Sequence, residues 1–183
     1  MLLVHACCGP CAITVFQTLL GRGEDIRGFY YNPNIHPLSE YLRRKEALAS
    51  VGGRLAVAIS FADSEYDPVL FLRMAAFREK DRCRQCYALR LDRCAREAVR
   101  LGCGTFTTTL LYSKYQDHQA IREAGEEAAR RSGVTFAYED FRSGWEEGIR
   151  LSKQWELYRQ AYCGCIYSEY DRYKKKLGAS RPA

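Results

Sequence analysis

"MLLVHACCGPCAITVFQTLLGRGEDIRGFYYNPNIHP", residues 1–37, decides the fold. Leu2-Leu3-Val4 is a short apolar run that reads as a buried strand. Pro10 then stands where proline is best tolerated, in the first turn of a helix over Cys11–Leu20 that closes at Gly21. Ile26–Tyr31 is a second strand. A strand, a helix and a strand in so short a space form a crossover unit whose two strands run parallel.

The same alternation continues downstream. A charged amphipathic helix is predicted over Ser39–Ser50, ended by Gly52-Gly53, with a third strand over Arg54–Ile59. Helices over Asp67–Phe77 and Cys83–Leu101 lead to a fourth strand over Phe106–Leu111. A helix over Gln119–Ser132 and a fifth strand over Val134–Tyr138 follow, and everything from Trp145 onward reads as helical. The expected fold class is α/β: a single-domain layered fold with a mainly parallel, Rossmann-like sheet of about five strands and a helical C-terminal part. The sheet part is placed at about 1–140, the helical part at about 145–177 and a basic tail at 174–183, all within one domain over 1–183. The 183 residues, 47% of them hydrophobic, suffice for one well-packed core and not for two.

The opening residues lack the apolar length of a signal peptide, and no later run approaches a membrane span, so a cytoplasmic location and no membrane partner are expected. Nine cysteines in a reducing compartment point to metal ligation or redox catalysis rather than structural disulfides. They fall into groups: Cys7, Cys8 and Cys11; Cys83 and Cys86; Cys163 and Cys165. Cys94 and Cys103 stand apart and are expected to be buried.

Open parallel sheets bind ligands at the carboxyl ends of their strands, and the unusual segments sit there: "CCGPC" after the first strand, "YNPNIHP" after the second, "YSKYQDH" after the fourth. No phosphate-loop or dinucleotide fingerprint accompanies them. Cys83-Arg-Gln-Cys86 opens a helix, where free N–H groups favour thiolate, but two cysteines cannot fill a four-ligand site. Cys7 and Cys8 can complete it. Cys163-Gly-Cys165 interrupts an otherwise helical run of Trp155, Tyr158, Tyr162 and Ile166, and suits either a dithiol cycling with a strained disulfide or a clamp for a second metal. Cys8-Gly-Pro-Cys11 matches the thioredoxin motif, leaving a dithiol oxidoreductase open. A zinc-stabilised RNA-binding module is open too, although zinc knuckles usually pair local turns. Seven grouped cysteines are best accommodated by an iron-sulfur cluster with spare thiols beside it.

Five ordered segments, "LLVHACCGPC", "FYYNPNIHPLSEYLRRKEAL", "DRCRQCYALRL", "TTTLLYSKYQDHQAI" and "YCGCIYS", together resemble the QueH family of epoxyqueuosine reductases, from about Leu2 to Tyr167. The resemblance implies cobalamin-independent reduction of epoxyqueuosine to queuosine in tRNA, with a 4Fe-4S cluster and either an adjacent mononuclear iron or a redox-active cysteine pair. Carried onto this chain, it assigns the cluster to Cys7, Cys8, Cys83 and Cys86 and the redox pair to Cys163 and Cys165. With Cys11, that pair is also available to a second iron.

Removing an epoxide oxygen as water takes two electrons and two protons, so a store beyond a one-electron cluster and an unidentified electron donor are expected. Asp117 is a candidate oxygen ligand to a second iron, or an N-cap of the helix after it. Tyr115 and His118 are candidate proton donors. Asn32, Asn34 and Lys114 are candidate contacts to the substrate, tRNA bearing epoxyqueuosine in its anticodon loop, whose base must be splayed out to be reached. Lys and Arg exceed Asp and Glu by six (28 minus 22), and Lys174, Lys175, Lys176 and Arg181 gather positive charge that RNA phosphates would attract.

Overall fold

The computed structural model describes residues 1–178; Arg181 lies outside them. Five parallel strands, β1 (Leu2–His5), β2 (Ile26–Tyr30), β3 (Ile59–Phe61), β4 (Thr105–Thr108) and β5 (Thr135–Phe136), form one sheet in the order β3-β2-β1-β4-β5. The α/β layering expected from the first 37 residues is thus present. Strand order reverses between β1 and β4, which pair in register from Leu2 with Thr105 to His5 with Thr108. Chain leaving these two strands diverges to opposite sides, and the crevice left between them is where such sheets take ligands.

Helix α1 (Gly9–Gly21) begins two residues earlier than the pattern of apolar residues indicates, with Pro10 in its first turn. Gly9 is required by close approach: a Cβ there would stand 2.5 Å from the Ala47 carbonyl oxygen on α2 (Leu38–Leu55). The cysteine loop is thereby pressed against a neighbouring helix. The other long elements are α3 (Pro68–Ala75), α4 (Arg82–Arg100), α5 (His118–Ser132), α6 (Trp145–Gln154) and α7 (Ile166–Tyr173).

Most other boundaries shift by one or two residues, β5 shrinking to Thr135–Phe136, and three regions differ in a way that shapes the site. Helix α2 runs through Gly52-Gly53 and ends only at Ala56, in left-handed backbone with φ 54°, so β3 is displaced to Ile59–Phe61. Gly52 is there for packing, since a Cβ would lie 2.5 Å from Ile59 Cδ1. Strand β4 stops at Thr108, whose hydroxyl accepts from the Leu110 N–H at 3.1 Å and turns Thr109–Tyr112 into a 3-10 turn. The C-terminal part is not continuously helical: a loop over 155–165 separates α6 from α7, and Gly164 within it has φ 143°. That conformation is one L side chains rarely adopt.

Helix α4 packs along α5. Cys94 and Cys103 are buried in the core.

His5 closes β1 in full burial, with Nδ1 2.9 Å from Thr108 Oγ1 and Nε2 3.2 Å from the Tyr31 carbonyl. Burial first, and then the nearby Arg90 guanidinium, lower its pKa to about 4. The folded imidazole stays neutral while the unfolded chain binds a proton below about pH 6.5, so stability is full above that pH and declines as pH falls toward 4, by roughly 3 kcal/mol in all. Denaturant midpoints of the metal-free protein between about pH 7 and about pH 4.5 are expected to fall more steeply for wild type than for His5→Asn.

Candidate functional site

The loops leaving β1 and β4 open onto a cavity of about 660 Å³, within the range of small-molecule sites. Its floor includes Cys7, Cys11, Arg44 and Arg90, and its rim includes Tyr115, Trp145, Arg159 and Arg172. A smaller pocket of about 40 Å³ adjoins it, bounded by Cys83, Cys86, Cys163 and Cys165; Cys163, Gln116 and Arg90 face both spaces. The seven grouped cysteines therefore surround one region of the molecule.

Within that region they form two adjoining sets. The sulfurs of Cys7, Cys8 and Cys11 lie within 4.8 Å of one another, a group of potential ligands made of cysteine alone. It rests on the tight turn between β1 and α1. Thr109 holds it from the β4 side, its hydroxyl accepting from the Cys7 N–H at 3.2 Å and donating to Cys7 Sγ at 3.5 Å. Gln160 donates from the 155–165 loop to Cys8 Sγ at 3.0 Å and Cys11 Sγ at 3.5 Å. Hydrogen bonds from Cys11 and Cys8 push the Cys7 thiol well below its ordinary range, whereas burial raises Cys8 and proton sharing with Cys7 raises Cys11. Of the three, Cys7 is the thiol whose surroundings favour thiolate, the form that binds metal.

Cys83 and Cys86 occupy the first turn of α4. Cys83 is exposed; Cys86 is buried beside Phe71 and Cys165, and burial pushes its thiol up to about 12. Opposite them, the Cys163–Cys165 loop is held by Arg44, whose Nη1 and Nη2 donate to the carbonyls of Cys163 and Tyr162 at 2.7 and 2.9 Å. Gln116 donates to Cys163 Sγ at 3.3 Å and accepts from Tyr87 Oη at 2.8 Å.

The residues expected at the site divide. Tyr115 lines the large cavity and is 85% exposed, and Lys114 lies over the Trp145 ring at 5.7 Å. Asp117 takes the N-cap place, accepting from the Ala120 N–H at 3.0 Å, and lines neither space. His118 turns away to Tyr138, 3.4 Å from its hydroxyl. Asn32 and Asn34 are 1% exposed rather than at the cavity mouth: Asn32 donates to the Ala6 carbonyl at 3.0 Å, and Asn34 borders the small pocket with Oδ1 unpartnered among the described residues. Lys174 pairs with Asp171 at 2.6 Å, in and before the 3-10 turn Lys174–Leu177.

Arg44, Arg90, Gln116 and Gln160 were not legible as site residues. Arg90 alone carried a signal, standing four and seven residues after Cys86 and Cys83 and so on their helix face.

The Cys7–Cys8–Cys11 group could hold a metal ion: three buried sulfurs lie together with no carboxylate beside them among the described residues, and Arg90 Nη2 and Gln160 Oε1 are buried without partners. No helix of the described residues is long and apolar enough to cross a membrane.

Comparison with known proteins gives one consistent result. A family model described as epoxyqueuosine reductase QueH matches residues 2–171. Proteins named epoxyqueuosine reductase QueH are similar to this chain from Dehalococcoides mccartyi, 34% identical with 95% of each chain covered, and from Thermotoga maritima, 35% identical with 98% of this chain and 95% of the relative covered. A protein of that name from Acinetobacter baylyi is 34% identical over 98% of this chain and 85% of its own.

Proposed function

The chain belongs to the epoxyqueuosine reductase QueH family, and from that premise we propose that it reduces epoxyqueuosine in tRNA to queuosine at its cysteine-lined cavity. It is an oxidoreductase by family. The observation that supports the placement is the grouping of Cys7, Cys8 and Cys11 beside the large cavity, with Cys83, Cys86, Cys163 and Cys165 around the small pocket that adjoins it. Family membership sets aside general disulfide exchange and a purely zinc-stabilised RNA module.

Loss of the epoxide oxygen balances as two electrons and two protons entering, with one alkene and one water leaving. In this proposal Cys7, Cys8, Cys83 and Cys86 would hold a 4Fe-4S cluster, which when bound would supply electrons one at a time. Cys11, Cys163 and Cys165 remain for an adjacent iron or, for the last two, a dithiol. A second assignment is favoured by one observation, the four thiols around the small pocket: Cys83, Cys86, Cys163 and Cys165 would hold the cluster, and the Cys7–Cys8–Cys11 triad a separate iron.

The rest is performed by the chain's own groups. Tyr115, exposed at the rim and edge-on to Trp145, offers a ring face to a splayed-out base. Arg159 and Arg172, exposed at the same rim, suit the flanking phosphates, with Lys175 and Lys176 further along. Cys11 lines the cavity; where Cys163 and Cys165 act as the dithiol and Cys11 holds no metal, its thiol, pushed up by its neighbours, can pass the proton on Sγ to a leaving oxygen.

Metal analysis after anaerobic purification tests the proposal. Iron with acid-labile sulfide is the expected result. Zinc alone, or no metal in a protein that reduces disulfides, would contradict it.

A further inference from the structure

Helix α4 carries six arginines, at 82, 84, 90, 93, 96 and 100, and only Arg90 is buried, at 2% exposure. The other five form ion pairs with carboxylates. Arg90 has none among the described residues. Its Nε donates to the Cys86 carbonyl at 3.2 Å, its Nη1 to Asn32 Oδ1 at 3.4 Å, and its Nη2 is buried with no partner. A guanidinium cannot shed its charge, and a buried cation without a counter-charge is strongly unfavourable. The groups placed to compensate it are sulfurs: Arg90 walls both spaces, the larger with Cys7, Cys11 and Cys163 and the smaller with Cys83, Cys86, Cys163 and Cys165.

We propose that Arg90 is the fixed counter-charge of the thiol centre, its free Nη2 donating to a sulfur that bears negative charge and so raising the reduction potential of the metal held there. The inference rests on the iron-sulfur assignment above and adds the residue that tunes it. Each electron accepted makes such a centre more negative, and a nearby cation with an N–H···S bond stabilises the reduced state preferentially. Asn32 serves as the positioning residue. Its amide donates to the Ala6 carbonyl, next to Cys7, while its oxygen aims the guanidinium. The β1 loop, Arg90 and Cys86 are thus one connected unit.

The test is a spectroelectrochemical titration of full-length, anaerobically reconstituted protein, with dithionite as reductant and the iron-sulfur absorbance as readout. Arg90→Gln is expected to lower the reduced-to-oxidised ratio at a fixed potential about tenfold, a downward shift of about 59 mV for a one-electron couple. Arg90→Lys, which keeps the charge, should remain within about threefold of wild type. Asn32→Asp sets a carboxylate against the guanidinium and should shift the potential downward as well. A merely structural Arg90 would change iron content or stability and leave the potential of the loaded sites alone. The proposal is overturned if loaded Arg90→Gln titrates with wild type or, should that variant not fold, if Asn32→Asp does. A wild-type protein that takes up no iron and sulfide overturns the cluster assignment and this inference together; an unmoved potential in loaded variants overturns the Arg90 role alone.

Discussion

Replacing Cys86 by serine is expected to give a folded, colourless protein that converts no detectable epoxyqueuosine. Cys86 is a ligand under both assignments of the cluster, and serine is nearly isosteric, so the fold around Phe71, Ala75 and Cys165 should persist. A hydroxyl in place of a soft thiolate is a poor ligand to iron-sulfur centres. Iron and sulfide analysis, circular dichroism and nucleoside mass spectrometry of digested tRNA check the three parts. The Cys163→Ser, Cys165→Ser double variant then separates the assignments. A retained cluster with lost turnover places the pair beside the cluster. A lost cluster places it among the ligands. With the cluster retained, an iron count that falls in the double variant identifies a second iron, and a disulfide formed during wild-type turnover identifies a dithiol.

The largest loss of stability is expected from Arg44→Ala, about 3–5 kcal/mol. Arg44 is 1% exposed and pairs with Glu40 Oε1 at 2.7 Å, while the other Glu40 oxygen accepts from the Tyr158 hydroxyl. Removing the guanidinium leaves Glu40 as an uncompensated buried charge and releases the carbonyls of Tyr162 and Cys163. For a chain of this size the melting temperature should drop on the order of 10 °C. Arg44→Lys keeps the charge and gives up the planar fork, so its loss should be smaller. Denaturant midpoints on the metal-free proteins provide the comparison. A near-wild-type midpoint for Arg44→Ala would mean that the loop over 155–165 is held by its own contacts.

Local signals carried the sheet and failed where distant residues decide. The first 37 residues disclose a parallel unit because β1, α1 and β2 each satisfy a periodicity of their own. Gly52 imitates a helix stop, but its role is set by Ile59, seven residues on in another element. The aromatic spacing from Trp155 to Ile166 imitates a helix, whereas Arg44, more than a hundred residues earlier, holds that segment as a loop. The cysteines were legible because sulfur in such spacings has few other uses. Their division into two sets was not, since it depends on how β1, β4 and α4 meet. Arg90 sits in a helix with five other arginines, and only its spacing of four and seven residues from Cys86 and Cys83 sets it on their face. Asp117 and His118 shared a loop with true cavity residues, and helix capping claimed the first while Tyr138 claimed the second.

The most direct test of the cysteine cavity as a reductase site is a single anaerobic incubation. Iron-loaded protein, tRNA bearing epoxyqueuosine and a low-potential reductant are combined, and the tRNA is digested and its nucleosides weighed. The expected result is queuosine, formed in proportion to iron-loaded sites and absent with Cys86→Ser. Unchanged epoxyqueuosine in the presence of fully loaded protein that binds the tRNA, or equal conversion by Cys86→Ser, would contradict it.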